Sequence, residues 1–129
     1  MNRTCSRRSR GKALARIRLM YWKEIPLQVQ AVDGRKQISR PLDPRFQQGV
    51  DAIAMFDGSA GEDAYLESYA WGPYLEVPGE DPARAADEMT ARINERFPRD
   101  FVSRIRDLQK AGTRNPAAGA VDHWYEDSK

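Results

Sequence analysis

From Ala15 to Tyr21 the chain alternates strictly, with Ala15, Ile17, Leu19 and Tyr21 in one set and Leu14, Arg16, Arg18 and Met20 in the other. Period 2 is the geometry of a strand whose successive side chains point to opposite faces. Residues 14–22 are therefore read as a first, half-buried strand. Leu27, Val29 and Ala31 alternate with Gln28 and Gln30 in the same way, after punctuation at Glu24, Ile25 and Pro26, and give a second strand pairing antiparallel with the first. Asp33-Gly34 is a turn dipeptide, because glycine takes a positive φ without steric cost, and Arg35 to Ser39 extends a short third strand from it.

Helix entry is signalled twice by one device, in Leu42-Asp43-Pro44 and in Glu80-Asp81-Pro82. Asp can accept from the free N–H groups of a first turn, and Pro suits the first helical position. The first helix carries Phe46, Val50, Ile53 and Ala54 on one face and stops near Asp57-Gly58. The second carries Ala86, Met89, Ile93 and Phe97 and stops at Pro98. Between them Tyr65, Glu67 and Tyr69 alternate with Leu66, Ser68 and Ala70, which predicts a strand over 64–70, then a bend at Trp71-Gly72-Pro73-Tyr74 and a strand exit at Leu75 to Val77. A last helix from about Asp100 to Ala111 places Phe101, Ile105 and Leu108 together, with Gly112 as terminator. The expected class is α+β: a small antiparallel or mixed sheet covered on one face by helices, in ββαβα order with a C-terminal helix. The expected organisation is a disordered basic arm over 1–12, one domain over 13–112 and a flexible tail over 113–129. That tail would be ordered only where His123, Trp124 and Tyr125 find a groove.

With 40% hydrophobic residues in 129, the chain can bury a modest core without staples. Its one cysteine, Cys5, cannot close an intramolecular disulfide, and no run of about 18 apolar residues exists, so a cytoplasmic location off the membrane is expected. The net charge of +2 hides a division. Arg3, Arg7, Arg8, Arg10 and Lys12 supply five of the 21 basic side chains, leaving sixteen against nineteen acids and a body of net −3. An acidic body without a nucleic-acid motif makes nucleic acid an unlikely partner, leaving only the arm to carry that reading.

Tyr21-Trp22-Lys23-Glu24-Ile25-Pro26-Leu27-Gln28-Val29, Gly34-Arg35-Lys36, Arg45-Phe46 with Asp51-Ala52-Ile53-Ala54-Met55, and Asp63-Ala64-Tyr65-Leu66-Glu67 together resemble the small bacterial domain family called "virulence factor". The resemblance spans about residues 15–97. The family pattern often continues with Glu-Trp-Arg after Tyr-Leu-Glu, where this chain has Ser68-Tyr69-Ala70 and then Trp71. The resemblance implies an accessory role, with a methyl-transfer enzyme of corrinoid- or folate-dependent one-carbon metabolism as a candidate partner, and it implies no site.

The residues themselves offer no reaction. Asp63, Glu67, Glu76, Glu80 and Asp81 lack the spacing of a carboxylate pair or a calcium loop, and His123 is the only histidine. The glycines sit singly at turns rather than in a phosphate loop or nucleophile elbow, and no cofactor is expected. Aromatic and basic residues of the strand region remain. Tyr21 and Trp22 are either a recognition edge beside Pro26 or core; Arg35, Lys36 and Arg40, with Arg16 and Arg18, are either a basic face or solvated charge. The reading adopted is a non-enzymatic adaptor that docks a protein partner through Tyr21, Trp22, Arg35, Lys36, Tyr65 and Trp71.

Overall fold

The computed structural model describes residues 15–34, 36–77 and 81–126; the basic arm, Cys5, Arg35 and Glu80 lie outside them. Three strands come first, β1 (Ala15–Trp22), β2 (Ile25–Asp33) and β3 (Lys36–Pro41), then helices α1 (Pro44–Asp57) and α2 (Glu62–Glu67). Short strands β4 (Tyr69–Trp71) and β5 (Leu75–Val77) follow, and α3 (Pro82–Arg96), α4 (Phe101–Ala111) and α5 (His123–Glu126) complete the fold. The sheet is antiparallel in the order β3-β2-β1-β4, and β5 pairs with β1 beside β4. The expected α+β class therefore holds.

Register decides which residues face the helices. Ile17 lies opposite Ala31, Leu19 opposite Val29, and Ala31 opposite Ile38, so the first alternating set shares one face. Ala85, Ala86 and Ile93 of α3 are buried with them. The pattern breaks between Met20 and Tyr21, where pairing jumps from Gln28 to Pro26 and leaves Leu27 as the extra residue of a bulge. Proline has no N–H for the ladder, so a buried Pro26 in a central strand is accommodated by that irregularity.

The helices begin and end largely as expected. Asp81 accepts from the Arg84 N–H at 3.3 Å, and Gly58 and Gly112 close α1 and α4 in the left-handed conformation. Asp43 differs: it makes no side-chain cap, and its carboxylate lies 3.7 Å from Arg45 Nε. Arg45 instead reaches the end of α3, donating to the carbonyls of Asn94, Phe97 and Pro98 and so satisfying terminal acceptors. Phe46, Phe97 and Phe101 form a ring cluster with centroids 5.2–5.7 Å apart. Each buried ring stabilises the core by roughly 1.5–3 kcal/mol. Gly49 lets α4 close on α1, since a Cβ there would fall 2.1 Å from Phe101 Cζ.

Residues 64–70 are not one strand. Glu62–Glu67 is a helical turn and a half and only Tyr69–Trp71 is extended. Tyr65 and Tyr69 are also four residues apart, a spacing that strand alternation cannot exclude. Two acids, Glu62 and Asp63, in the first turn complement the positive end of a helix. The segment from Thr113 packs on the body through its apolar side chains: Val121 and Tyr125 are buried, and Trp124 lies 5.7 Å from the Phe97 ring.

Candidate protein-binding interface

The second alternating set of β1 builds the sheet face opposite the helices. Arg18 lies opposite Gln30, and Gln30 opposite Ser39; Met20 lies opposite Gln28 on one side and Trp71 on the other. Arg16, Gln37, Ser39, Pro41, Tyr74 and Glu76 are exposed there. Arg18 is the centre of the face. Its guanidinium lies 3.9 Å from the Trp71 ring centre and 4.7 Å from that of Tyr74, while its Nε donates to Gln30 Oε1 at 2.7 Å. Arg16 adds a second cation 4.8 Å from the Tyr74 ring. Both guanidinium groups lie over aromatic rings, and no carboxylate among the described residues is ion-paired to either. Beside this pair a groove of about 340 Å³ is lined by Met20, Leu27, Pro41, Leu42 and Tyr69.

The hairpin end behind the face is held by buried charge. Glu24 is 0% exposed, yet both its oxygens accept from Arg114, at 2.7 and 2.8 Å. Arg114 also donates to Asp57 at 2.8 Å, and Asp57 accepts from Lys23 at 2.8 Å. Burial alone would raise the Asp57 carboxyl, but hydrogen bonds from Lys23, Arg114 and Ser59 outweigh it and hold it below the usual carboxylate range. Lys23 has φ of 50°, a left-handed backbone that a lysine rarely adopts. Its N–H donates to the Ser68 carbonyl, and its side chain joins the ion network, so the surroundings enforce the conformation.

The expected site residues among the described ones do not form one surface. Trp22 has no exposed area: its indole donates to the Tyr65 carbonyl at 3.0 Å and its ring lies 5.6 Å from that of Tyr65. Tyr21 is buried on the helix side with its hydroxyl donating to Asp122. The two lie on opposite faces of β1, and different partners cover them: Tyr65 of α2 over Trp22, and Asp122 with the C-terminal segment over Tyr21. Tyr65 is half-buried, its hydroxyl bridging Gln47 and Asp51. Lys36 is exposed on β3, at the far edge of the sheet and more than about 20 Å from Trp71 by strand spacing. Arg40 leaves the basic group altogether, because it points to the helix side and pairs with Asp87. Of the five that the structure describes, Trp71 alone joins Arg18. Tyr74, Gln30, Asp57, Arg114 and Asp122 carry no sequence signal of these roles, because their partners are distant in sequence; the adjacent charges Lys23 and Glu24 between apolar residues are the nearest to one.

A family model described as "Virulence factor" matches residues 20–105. The chain belongs to the virulence factor family. No curated protein and no solved structure matches it. The virulence factor segment contains Met20, Trp71 and Tyr74 of the open face together with Glu24 and Asp57 of the ion network. Arg16 and Arg18 precede it, and Arg114 and Asp122 follow it. Among the described residues no group of three or more His, Cys, Asp and Glu is placed to hold a metal ion, and no helix is long and apolar enough to cross a membrane.

Proposed function

We propose that the protein is a docking module that binds a protein partner through its open sheet face. The partner would present an apolar side chain to the Met20–Leu27–Tyr69 groove and a carboxylate to Arg18 and Arg16. The observation that carries this reading is Arg18, whose guanidinium lies over both the Trp71 and Tyr74 rings with no ion-paired acid among the described residues. Arg18 and Met20 are two residues apart on one face, so carboxylate and apolar anchor should be about 7 Å apart in the partner. Arginine and aromatic residues ordered before binding lose little entropy on contact, which favours such a patch as an interface centre.

The structure favours this over a flat ligand such as a corrinoid or folate lying on the aromatics, because the guanidinium of Arg18 already covers a face of both Trp71 and Tyr74. A methyl-transfer enzyme remains a candidate for the protein partner itself.

The test is affinity purification of the tagged chain from its own host at moderate salt, beside the double variant Arg16→Glu, Arg18→Glu. A stoichiometric protein recovered by the parent and lost roughly tenfold or more by an equally stable variant supports the reading. Equal recovery by both, or recovery of nucleic acid instead, rejects it.

A further inference from the structure

The groove beside Arg18 has an acidic rim as well as a basic one. It begins at Met20, two residues beyond Arg18 on the same face, and runs across the sheet to Asp43, Pro44 and Gln47 at the start of α1. Register sets the span. Arg18 is level with Gln30 and Ser39, and Met20 with Gln28 and Pro41. Asp43 is therefore two strands across and four residues past the Arg18 level, roughly 16 Å away by strand rise and spacing.

Asp43 stands at the entry to α1, yet its side chain caps nothing and is 44% exposed. Arg45 Nε lies 3.7 Å from it without a hydrogen bond, and the other two nitrogens of that guanidinium donate to carbonyls at the end of α3. Asp43, Gln47 and Asp51 follow one another at four-residue spacing, which places them on one side of α1. Gln47 donates to Asp51 at 3.2 Å, so a second exposed carboxylate stands next to the groove. Two arginines thus lie at one end of an apolar groove and two aspartates at the other.

We infer that the segment bound by the open face is extended and dipolar, with an acidic residue at Arg18 and Arg16, an apolar residue in the groove and a basic residue reaching Asp43 and Asp51. The inference rests on the docking reading and narrows its partner. In an extended segment alternate residues share one face, so positions i, i+2 and i+4 span about 13 Å, and the length of a lysine side chain covers the rest. A uniformly acidic segment would be attracted at the arginines and repelled at the aspartates, and like charges brought together across an interface weaken binding.

Three synthetic peptides of equal length test this, carrying Glu-Ser-Leu-Ser-Lys, Glu-Ser-Leu-Ser-Glu or Lys-Ser-Leu-Ser-Lys between Gly-Ser flanks. Each is titrated into the full chain at low salt and followed by amide NMR shifts. The first should saturate at one site, shift Arg18, Met20, Leu27 and Gln47, and bind roughly fivefold or more tightly than either of the others. Asp43→Lys should reverse the order of the first two peptides, and Asp51→Lys gives a second route if that variant folds poorly. Equal binding of the first two peptides, or an order unchanged in both variants, overturns the dipolar segment; if Arg16→Glu, Arg18→Glu abolishes that binding, the docking reading stands without it. No saturation by any peptide, or shifts away from the face, also overturns the inference, and the docking reading is then decided by the partner recovered from the host.

Discussion

Arg114 grips Glu24 with two hydrogen bonds, of 2.7 and 2.8 Å, across 90 positions of sequence. Glu24 sits in the two-residue turn between β1 and β2, and Arg114 follows α4, so the pair ties the start of the fold to its C-terminal segment. Its carboxylate has no exposed area, which makes the partner obligatory: an ion left alone there is penalised by desolvation with nothing to offset it.

Arg114→Ala should therefore lower unfolding free energy by about 3–5 kcal/mol, because it leaves both Glu24 and Asp57 without their common donor. In urea denaturation the double variant Glu24→Gln, Arg114→Ala should lose clearly less than the sum of the two single losses. A strictly additive cycle would mean that the pair is energetically idle.

Gly49→Ala probes the α1–α4 contact. The new methyl would overlap Phe101, whose ring is also held by Phe46 and Phe97, so it has little room to withdraw. A loss of about 1–3 kcal/mol is expected by thermal or urea unfolding, with the helical content kept.

Asp122 should give the stability curve a falling limb. Its carboxyl is raised from 3.8 to about 6 in the folded protein, so between those values the folded state binds more protons than the unfolded one, and stability falls as pH rises. The decline should be absent below pH 4 and fully expressed above pH 6. Asp57 acts with the opposite sign, since its lowered carboxyl contributes stability that is lost only on acidification below the ordinary carboxylate range. Unfolding measured from pH 4 to 7 should show the decline in the parent chain and lose it in Asp122→Asn; an unchanged profile would exclude Asp122 as its source.

Much of the fold was legible because it is local. The alternation of Ala15, Ile17, Leu19 and Tyr21, the two Asp-Pro entries, and the glycine stops at Gly58 and Gly112 each act within a few residues, and each element lies where its signal stands. The strand expected over 64–70 is instead the end of α2 and the start of β4, because the Tyr65–Tyr69 spacing fits helix and strand alike. The face was legible only in part. Trp71 and the arginines of β1 belong to it, but Trp22 has the composition of a contact residue and the environment of a core one. Tyr65 of α2, 43 positions later, decides which by covering it, and nothing in the β1 tract announces that contact. Arg114 and Asp122 lie in a segment rich in Pro, Ala and Gly, whose order comes from partners about a hundred residues earlier rather than from its own pattern.

The open face as docking surface is tested most directly by where the partner crosslinks. A photoreactive phenylalanine analogue placed at Ser39, an exposed position on that face, should capture the co-purified partner; the same group at Met55, 76% exposed on α1, should not. Crosslinking from Met55 with none from Ser39 would put the partner on the helices and contradict the account.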